Sequence, residues 1–552
     1  MRSDNGTNLV GAEKELRIAM QQWNQVKIHD MLAQKDIRWI FSPPAGPHFG
    51  GVWERQGAVS VLSSLVNDVA ASQRLLERQK HPDLQLQSMQ SFLQRSGITV
   101  DQLDRLNIIH VTGTKGKGST CAFTERILRN HGLRTGFYSS PHLVHVRERI
   151  RIDGWPIGKE LFTKYFWETM ERLEDTKDLH GGSTPFYFQF LTLLAFHVFL
   201  QEKVDLAVVE VGIGGQYDCT NIIRNPWVCG VTSLGLDHCS LLGDTLEEIA
   251  LQKAGIFKPG VPAFTVSQKP GAMRVLQRRA EEIQCPLVVS PELHQYEAAV
   301  GPVRLGLAGS HQRLNASLAL QLSSSWLQRH KAQRAAHTLN GLNSQNASFQ
   351  PSMAMLRGLQ ETEWPGRSQT LSCGPVTYYL DGAHTAESMQ ACVSWFSQET
   401  LHRDRQYDNH TAAIIKVLLF NTTGERDSAA LLSLLVTCGF DFALFCPNIS
   451  ESPAAQHSLG VQMLDRCREN QNIWESLNAP RQQQLCRPLV AGAAPCSLAF
   501  PCILSALQWI SRMEQPPSGG LQAPCSVSVL VTGSLHLVGG ALKLLEPSLN
   551  SQ

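Results

Sequence analysis

Val111-Thr-Gly-Thr-Lys-Gly-Lys-Gly-Ser-Thr120 is the stretch on which the reading of this chain turns. The apolar run Asn107-Ile-Ile-His-Val111 leads into it, and the helix-like run Cys121-Ala-Phe-Thr-Glu-Arg-Ile-Leu128 leads out. Strand, glycine-rich turn and helix is the arrangement that cradles phosphates. Backbone N–H groups of the turn and of the helix start point at the anion, and a lysine adds a point charge. The stretch therefore predicts a bound nucleotide. Its spacing is not that of the ordinary phosphate loop, G-x-x-x-x-G-K-S/T. Here the order is Gly113-x-x-Gly116-Lys117-Gly118-Ser119. A glycine turn without a ligand is the competing reading, and Lys117 and Ser119 at a helix start argue against it.

Downstream, polar groups recur where strands should end. Tyr138-Ser-Ser-Pro-His-Leu-Val-His-Val-Arg-Glu-Arg149 offers a hydroxyl for Mg²⁺ and arginines for an anion, or a polar surface loop. Val209-Glu-Val-Gly-Ile-Gly-Gly-Gln-Tyr-Asp218 ends an apolar run on Glu210, where a carboxylate suits a hard cation. Leu236-Asp-His-Cys-Ser-Leu-Leu-Gly243 presents His238, either a metal ligand or a structural histidine. Cys239 has no second cysteine at zinc-ligand spacing. Lys253, in Ile249-Ala-Leu-Gln-Lys-Ala-Gly-Ile-Phe-Lys258, is a surface cation or a buried lysine of lowered pKa. Further on, Leu380-Asp-Gly-Ala-His384 can aim an Asp and a His into one cleft, with Arg367 close enough to join them. Val531-Thr-Gly-Ser-Leu-His536 is one more strand with a small polar turn.

The chain has 552 residues, 43% of them hydrophobic, enough for two to four domains with sizeable cores. A net charge of +1 gives no reason to expect bulk nucleic-acid binding. The 14 cysteines form no C-x-x-C pair and read as reduced, mostly buried thiols. No apolar run is long enough for a transmembrane helix. The longest, Phe190–Leu200, reads as a buried core helix. Asp4, Glu13, Glu15 and Asp30 argue against a mitochondrial leader, and no apolar stretch suggests a secretory signal.

Alternation of strands and helices predicts an α/β fold with parallel sheets. Strands are expected at Leu206–Val211, Trp227–Thr232, Pro262–Val266, Val376–Leu380, Ile414–Phe420, Phe442–Phe445 and Val527–Thr532. Helical periodicity is expected from Val59 to Leu106, with Leu75, Leu76, Leu84, Leu86, Phe92 and Leu93 apolar. Polar stretches at 331–350 and 450–500 read as a loop and a mobile insertion. The expected division is an atypical, disordered extension at 1–57, a nucleotide-binding domain at 58–350, a linker at 351–367 and a smaller domain at 368–552. Within the extension, Asp36 to Arg55 resembles a short piece of retroelement integrases, without any catalytic core.

Taken in order, Gly113–Ser119, Ser140-Pro-His-Leu143, Glu210-Val-Gly-Ile-Gly-Gly215, Leu236-Asp-His238, Gln252-Lys-Ala-Gly-Ile-Phe-Lys258 and Asp381-Gly-Ala-His384 resemble the folylpolyglutamate synthases, of the Mur ligase superfamily. The stretch Asp104–Ser119 resembles the animal type. The resemblance implies a Mur-ligase-like P-loop ATPase domain with a parallel sheet, then a smaller Rossmann-like α/β domain. It also implies an ATP-dependent ligase that adds L-glutamate to the γ-carboxylate of tetrahydrofolates through an acyl phosphate. By motif, Gly116, Lys117, Gly118 and Ser119 would hold the ATP phosphates, and Arg367 and Asp381 would bind ATP from the second domain. Ser140, Glu210 and His238 would ligate Mg²⁺, one ion or two, with Lys253 matching a lysine that is carbamylated in bacterial relatives. His384 and Ser534 would contact glutamate, and Lys117, Lys253 and His384 would carry the catalysis. Thr184–Gln189 would lie near the folate, with Phe186, Tyr187, Phe188 and Gln189 as its contacts or as core residues. A monovalent cation such as K⁺ is compatible with the family. The implied protein is a monomer acting on small molecules, without nucleic acid, in the cytoplasm, with the mitochondrial matrix open to it. A dihydrofolate synthase or bifunctional enzyme is the nearer alternative, and an integrase-derived nucleic-acid-binding protein the distant one.

Overall fold

The computed structural model describes residues 57–58, 61–62, 83–180, 182–335, 349–406, 414–423, 426–451, 458–482, 497–513 and 526–547. Two sheets organise them. The first has eight strands in the order β4-β3-β2-β5-β1-β6-β7-β8. These are β1 (Ile109–Thr112), β2 (Thr135–Tyr138), β3 (Ile150–Ile152), β4 (Trp155–Pro156), β5 (Leu206–Glu210), β6 (Val228–Val231), β7 (Ala263–Thr265) and β8 (Leu287–Val289). β1 lies between β5 and β6 and is parallel to both, with Ile109 beside Val208 and Val228. All four of its residues are buried. That is the expected state of a parallel strand covered on both faces, and it explains the mainly apolar run ahead of the glycine loop.

The second sheet has six strands in the order β13-β12-β11-β14-β10-β9. They are β9 (Gln369–Cys373), β10 (Val376–Leu380), β11 (Ile414–Phe420), β12 (Phe442–Phe445), β13 (Ser497–Ala499) and β14 (Ser526–Thr532). Both sheets are mixed rather than purely parallel. β3 runs antiparallel to β2 and β4, and β9 antiparallel to β10, so the departures sit at the edges. β9 alternates between half-buried and exposed residues, and β3 and β4 are only two or three residues long. None of these carries the kind of apolar run by which β1, β5 and β6 were legible.

Three further expectations are corrected. The Gln- and Pro-rich region 450–500 contains a helix, Ser458–Gln482, and strand β13. Cys467 and Trp474 of that helix are buried beside Trp395 and Phe396, so a few apolar side chains in a polar stretch are enough to dock it. Within 351–367, Met353–Gln360 is a helix whose Leu359 shares a core cluster with Phe123 and Ile127. Helix Gln312–Ala335 runs into the region read as a loop from 331. Near the start, Asp83–Arg95 and Val100–Asp104 are helices. Leu84 faces outward at 48% exposure, and Met89, Phe92 and Leu93 form the buried face. Leu75, Leu76 and the integrase-like segment lie outside the described residues. Tyr187–Gln201 is the expected buried helix, and no described helix is long and apolar enough to cross a membrane.

Candidate functional site

The phosphate loop leaves the C-terminal end of β1, and Lys117–Arg129 forms the helix after it. Gly116 caps that helix at φ 89°, a left-handed conformation that costs glycine nothing. A Cβ there would lie 2.1 Å from Asn315 Oδ1, and one on Gly113 would lie 1.8 Å from Thr232 Oγ1. The loop is stitched to the segment after β6, because the Thr114 and Lys115 N–H groups both donate to Ser233 O, at 3.0 and 3.1 Å. The helix start and its free N–H groups therefore face a cleft of about 860 Å³ lined by residues from both sheets.

Parallel strands deliver the acidic and basic groups. β5 ends on Glu210, 4% exposed, whose Oε2 accepts from the Ser140 N–H at 3.1 Å. Burial raises the Glu210 pKa, and the Lys117 charge opposes that rise. Lys253 is also 4% exposed, and its ammonium donates to Gly113 O at 2.8 Å. Burial, helped by the like charge of Lys117, pushes its pKa well down. Asp218 accepts from Ile213 N–H, Thr220 N–H and the Thr220 hydroxyl, and so braces the turn after Glu210.

The second sheet closes the cleft from the other side. Asp381, after β10, accepts from Ser368 N–H at 2.8 Å and Ala383 N–H at 2.9 Å, which fixes the turns carrying Arg367 and His384. His384 Nδ1 lies 2.7 Å from Gly382 O, so that nitrogen carries the proton and Nε2 is the acceptor. Burial, with the nearby Lys115, lowers the His384 pKa to about 3.

Most of the residues singled out in the sequence meet here. Gly116, Lys117, Gly118, Ser119, Ser140, Glu210 and Lys253 line the cleft from the first sheet. Arg367, Asp381 and His384 line it from the second. His238 stands at the rim with its side chain 45% exposed. Phe186, Phe188 and Gln189 line one wall, although Gln189 spends its amide on Phe186 N–H and Ser88 Oγ. Two are elsewhere. Tyr187 lies outside the cleft lining, its ring under the Arg149 guanidinium at 5.3 Å. Ser534 is 1% exposed and caps a helix, accepting from His536 N–H and Asn448 Nδ2. Lys115 and Asp237 were missed. Both lay inside motifs already quoted, beside Lys117 and His238, and only the fold shows them paired at 2.8 Å.

Among the described residues no group of three His, Cys, Asp or Glu side chains forms a metal cage. Oxygen donors suit Mg²⁺, which commonly takes one or two protein carboxylates and completes its shell with water and phosphate. A buried carboxylate at Glu210 and a buried hydroxyl at Ser119 beside the phosphate loop fit that donor chemistry. The cysteines do not offer an alternative, since the described ones are mostly buried thiols and none of them joins two other ligating side chains.

Folylpolyglutamate synthase, mitochondrial, of Homo sapiens is 53% identical over 546 residues, covering 90% of this chain and 92% of that protein. The chain belongs to the folylpolyglutamate synthase family. As a folylpolyglutamate synthase it is a ligase, catalysing the ATP-dependent addition of glutamate to tetrahydrofolate. A putative folylpolyglutamate synthase of Caenorhabditis elegans is 39% identical over 500 residues, covering 88% of this chain and 92% of that one. Among solved structures, Mycobacterium tuberculosis folylpolyglutamate synthase complexed with ADP has a TM-score of 0.61 at 22% identity, covering 85% of this chain and 98% of that one. At that identity the likeness speaks for the Mur-ligase-like fold alone. No family model matches the chain. These relatives carry the folylpolyglutamate synthase name, and nothing among them supports the integrase-like reading of residues 36–55.

Proposed function

We propose that the cleft activates a folate carboxylate as an acyl phosphate and passes it to glutamate. The observation that carries this reading is the meeting of two groups of side chains. Lys117 and Glu210 come from the first sheet, Arg367 and His384 from the second, and all four line one cavity. In this reading the N–H groups at the start of helix Lys117–Arg129 and the Lys117 ammonium hold the triphosphate. Arg367 and the Asp381 turn hold the nucleotide from the opposite side. Phe186 and Phe188 present an apolar wall suited to the flat ring of a folate. Glu210 and Ser119, with Ser140 beside them, are the oxygen donors for Mg²⁺, and His238 at the rim is a weaker candidate. When bound, Mg²⁺ supplies charge neutralisation on the triphosphate. The monovalent cation takes no part in this reading.

The γ-carboxylate of the folate attacks the γ-phosphorus, the P–O bond to ADP breaks, and an acyl phosphate forms. The amine of glutamate then attacks the acyl carbon. The C–O bond to phosphate breaks, the nitrogen's proton passes to the departing phosphate, and an amide remains. Carboxylate and triphosphate repel one another, and Lys117 and Arg367 offset that repulsion. His384 is neutral, with its Nε2 lone pair turned to Lys115, and so adds no charge against an incoming ammonium or amine. Enclosure between two domains keeps water from the acyl phosphate.

We take the working unit as a monomer acting on small molecules. Mammalian relatives carry "mitochondrial" in their names and the nematode and plant ones do not, so we place the chain in the cytosol, the mitochondrial matrix, or both. The test is Lys117→Ala, assayed with tetrahydrofolate and with dihydropteroate. Wild type should extend tetrahydrofolate, and the variant should stay folded and add no glutamate. Normal turnover by the variant would remove Lys117 from the mechanism, and wild-type activity with dihydropteroate alone would favour a dihydrofolate synthase.

A further inference from the structure

The reaction above uses Lys117 of the phosphate loop and leaves Lys115 without a task. Its placement is nevertheless specific. The Lys115 backbone is pinned, since its N–H donates to Ser233 O, and the side chain emerges between the two sheets. The ammonium lies 2.8 Å from Asp237 Oδ2 and 3.4 Å from His384 Nε2. Asp237 belongs to the turn after β6, and its other oxygen accepts from His238 N–H at 3.0 Å. His384 belongs to the second sheet's turn, with Nδ1 held by Gly382 O. One cation thus spans three segments that are far apart in the chain. The pair is sheltered, with Asp237 17% exposed and Lys115 25%. An ammonium already neutralised by a carboxylate is a weak ligand for phosphate, and the loop has Lys117 for that purpose. Its second contact is with a neutral acceptor, the Nε2 lone pair of His384.

We propose that Lys115 is a positioning residue for the glutamate step. Its ammonium ties the Asp237 turn to His384 Nε2 across the cleft, and so fixes the direction in which the imidazole presents itself. The proposal rests on the placing of His384 on the glutamate side. It makes Lys115 matter for glutamate and not for nucleotide.

The experiment uses the full chain. Glutamate is varied at saturating ATP and tetrahydrofolate for wild type, Lys115→Met, His384→Ala and the double variant, and ADP affinity is measured by calorimetry. Lys115→Met should lower kcat/KM for glutamate by about tenfold or more, as expected for a lost hydrogen bond to a charged group. ADP affinity should stay within about twofold, and the double variant should be no worse than His384→Ala alone, as expected for residues acting through one another. Loss of ADP affinity in step with turnover would overturn the proposal and make Lys115 a phosphate ligand. Full additivity with His384→Ala would overturn it too, as would an unchanged kcat/KM for glutamate in Lys115→Met while His384→Ala is damaged. A harmless His384→Ala would instead overturn the placing of His384 itself, and the proposal with it.

Discussion

The Lys253 ammonium donates to the carbonyl of Gly113 across 2.8 Å, tying the end of a distant helix to the first glycine of the phosphate loop. A charge this buried is poorly solvated, and this bond and the fields of Asp237 and Asp218 work to retain it. Lys253→Met keeps much of the volume and removes the donor, leaving a loop carbonyl unpaired at about 1–3 kcal/mol. We expect a folded protein, by circular dichroism, whose ATP-dependent glutamate addition falls at least about tenfold. Unchanged turnover would mean that the tie does not shape the loop.

The left-handed turn at Gly116 gives the second prediction. Gly116→Ala meets both an unfavourable φ and the Asn315 side chain, so the helix start must shift. ADP binding should weaken by about a hundredfold or more, since each misplaced N–H at the helix start is a lost donor to phosphate. Pairing the change with Asn315→Ala should recover only part of it, because φ remains strained. Titration calorimetry on the three variants checks this.

How much of this was legible in the sequence depended on how a residue announces itself. The glycines and Lys117 were legible because phosphate binding needs backbone donors at a helix start, a local pattern. Glu210 and Asp381 were legible because apolar strands end on them. Lys115 and Asp237 were not, since their meaning is a contact across 122 positions. Ser534 was expected at the glutamate through the family resemblance, and its hydroxyl caps a helix. The second sheet's inner strands were visible as apolar runs, whereas β9 and helix Ser458–Gln482 depend on tertiary packing that overrides a polar composition.

Acid should weaken the fold early. Burial holds the imidazoles of His110, His142 and His384 down to about 3, with Lys258, Arg149 and Lys115 adding to the effect. In the unfolded chain they titrate near ~6.5. As pH falls below ~6.5 the unfolded state takes protons that the folded state refuses, so stability declines from there down toward 3. Asp237 has the same sign lower down. Burial works against its carboxylate, but the Lys115 charge and hydrogen bond win and hold it to about 2. Its contribution is present above ~4 and fades as pH falls through 2. The urea midpoint should drop between about pH 7 and pH 5, the range in which the unfolded chain's imidazoles take up protons. A flat midpoint over that range would contradict the burial of these imidazoles.

The central claim is that the cleft makes an acyl phosphate from a folate carboxylate, and an isotope measurement tests it most directly. Tetrahydrofolate carrying oxygen-18 in the γ-carboxylate of its glutamate is turned over with ATP and glutamate, and the released phosphate is analysed by mass spectrometry. Attack on the γ-phosphorus followed by displacement by the amine carries a labelled oxygen into phosphate with each amide formed. Labelled phosphate in proportion to product is the predicted result. Unlabelled phosphate alongside amide product would contradict the account, because the carboxylate would then have been activated without ever bonding to phosphorus.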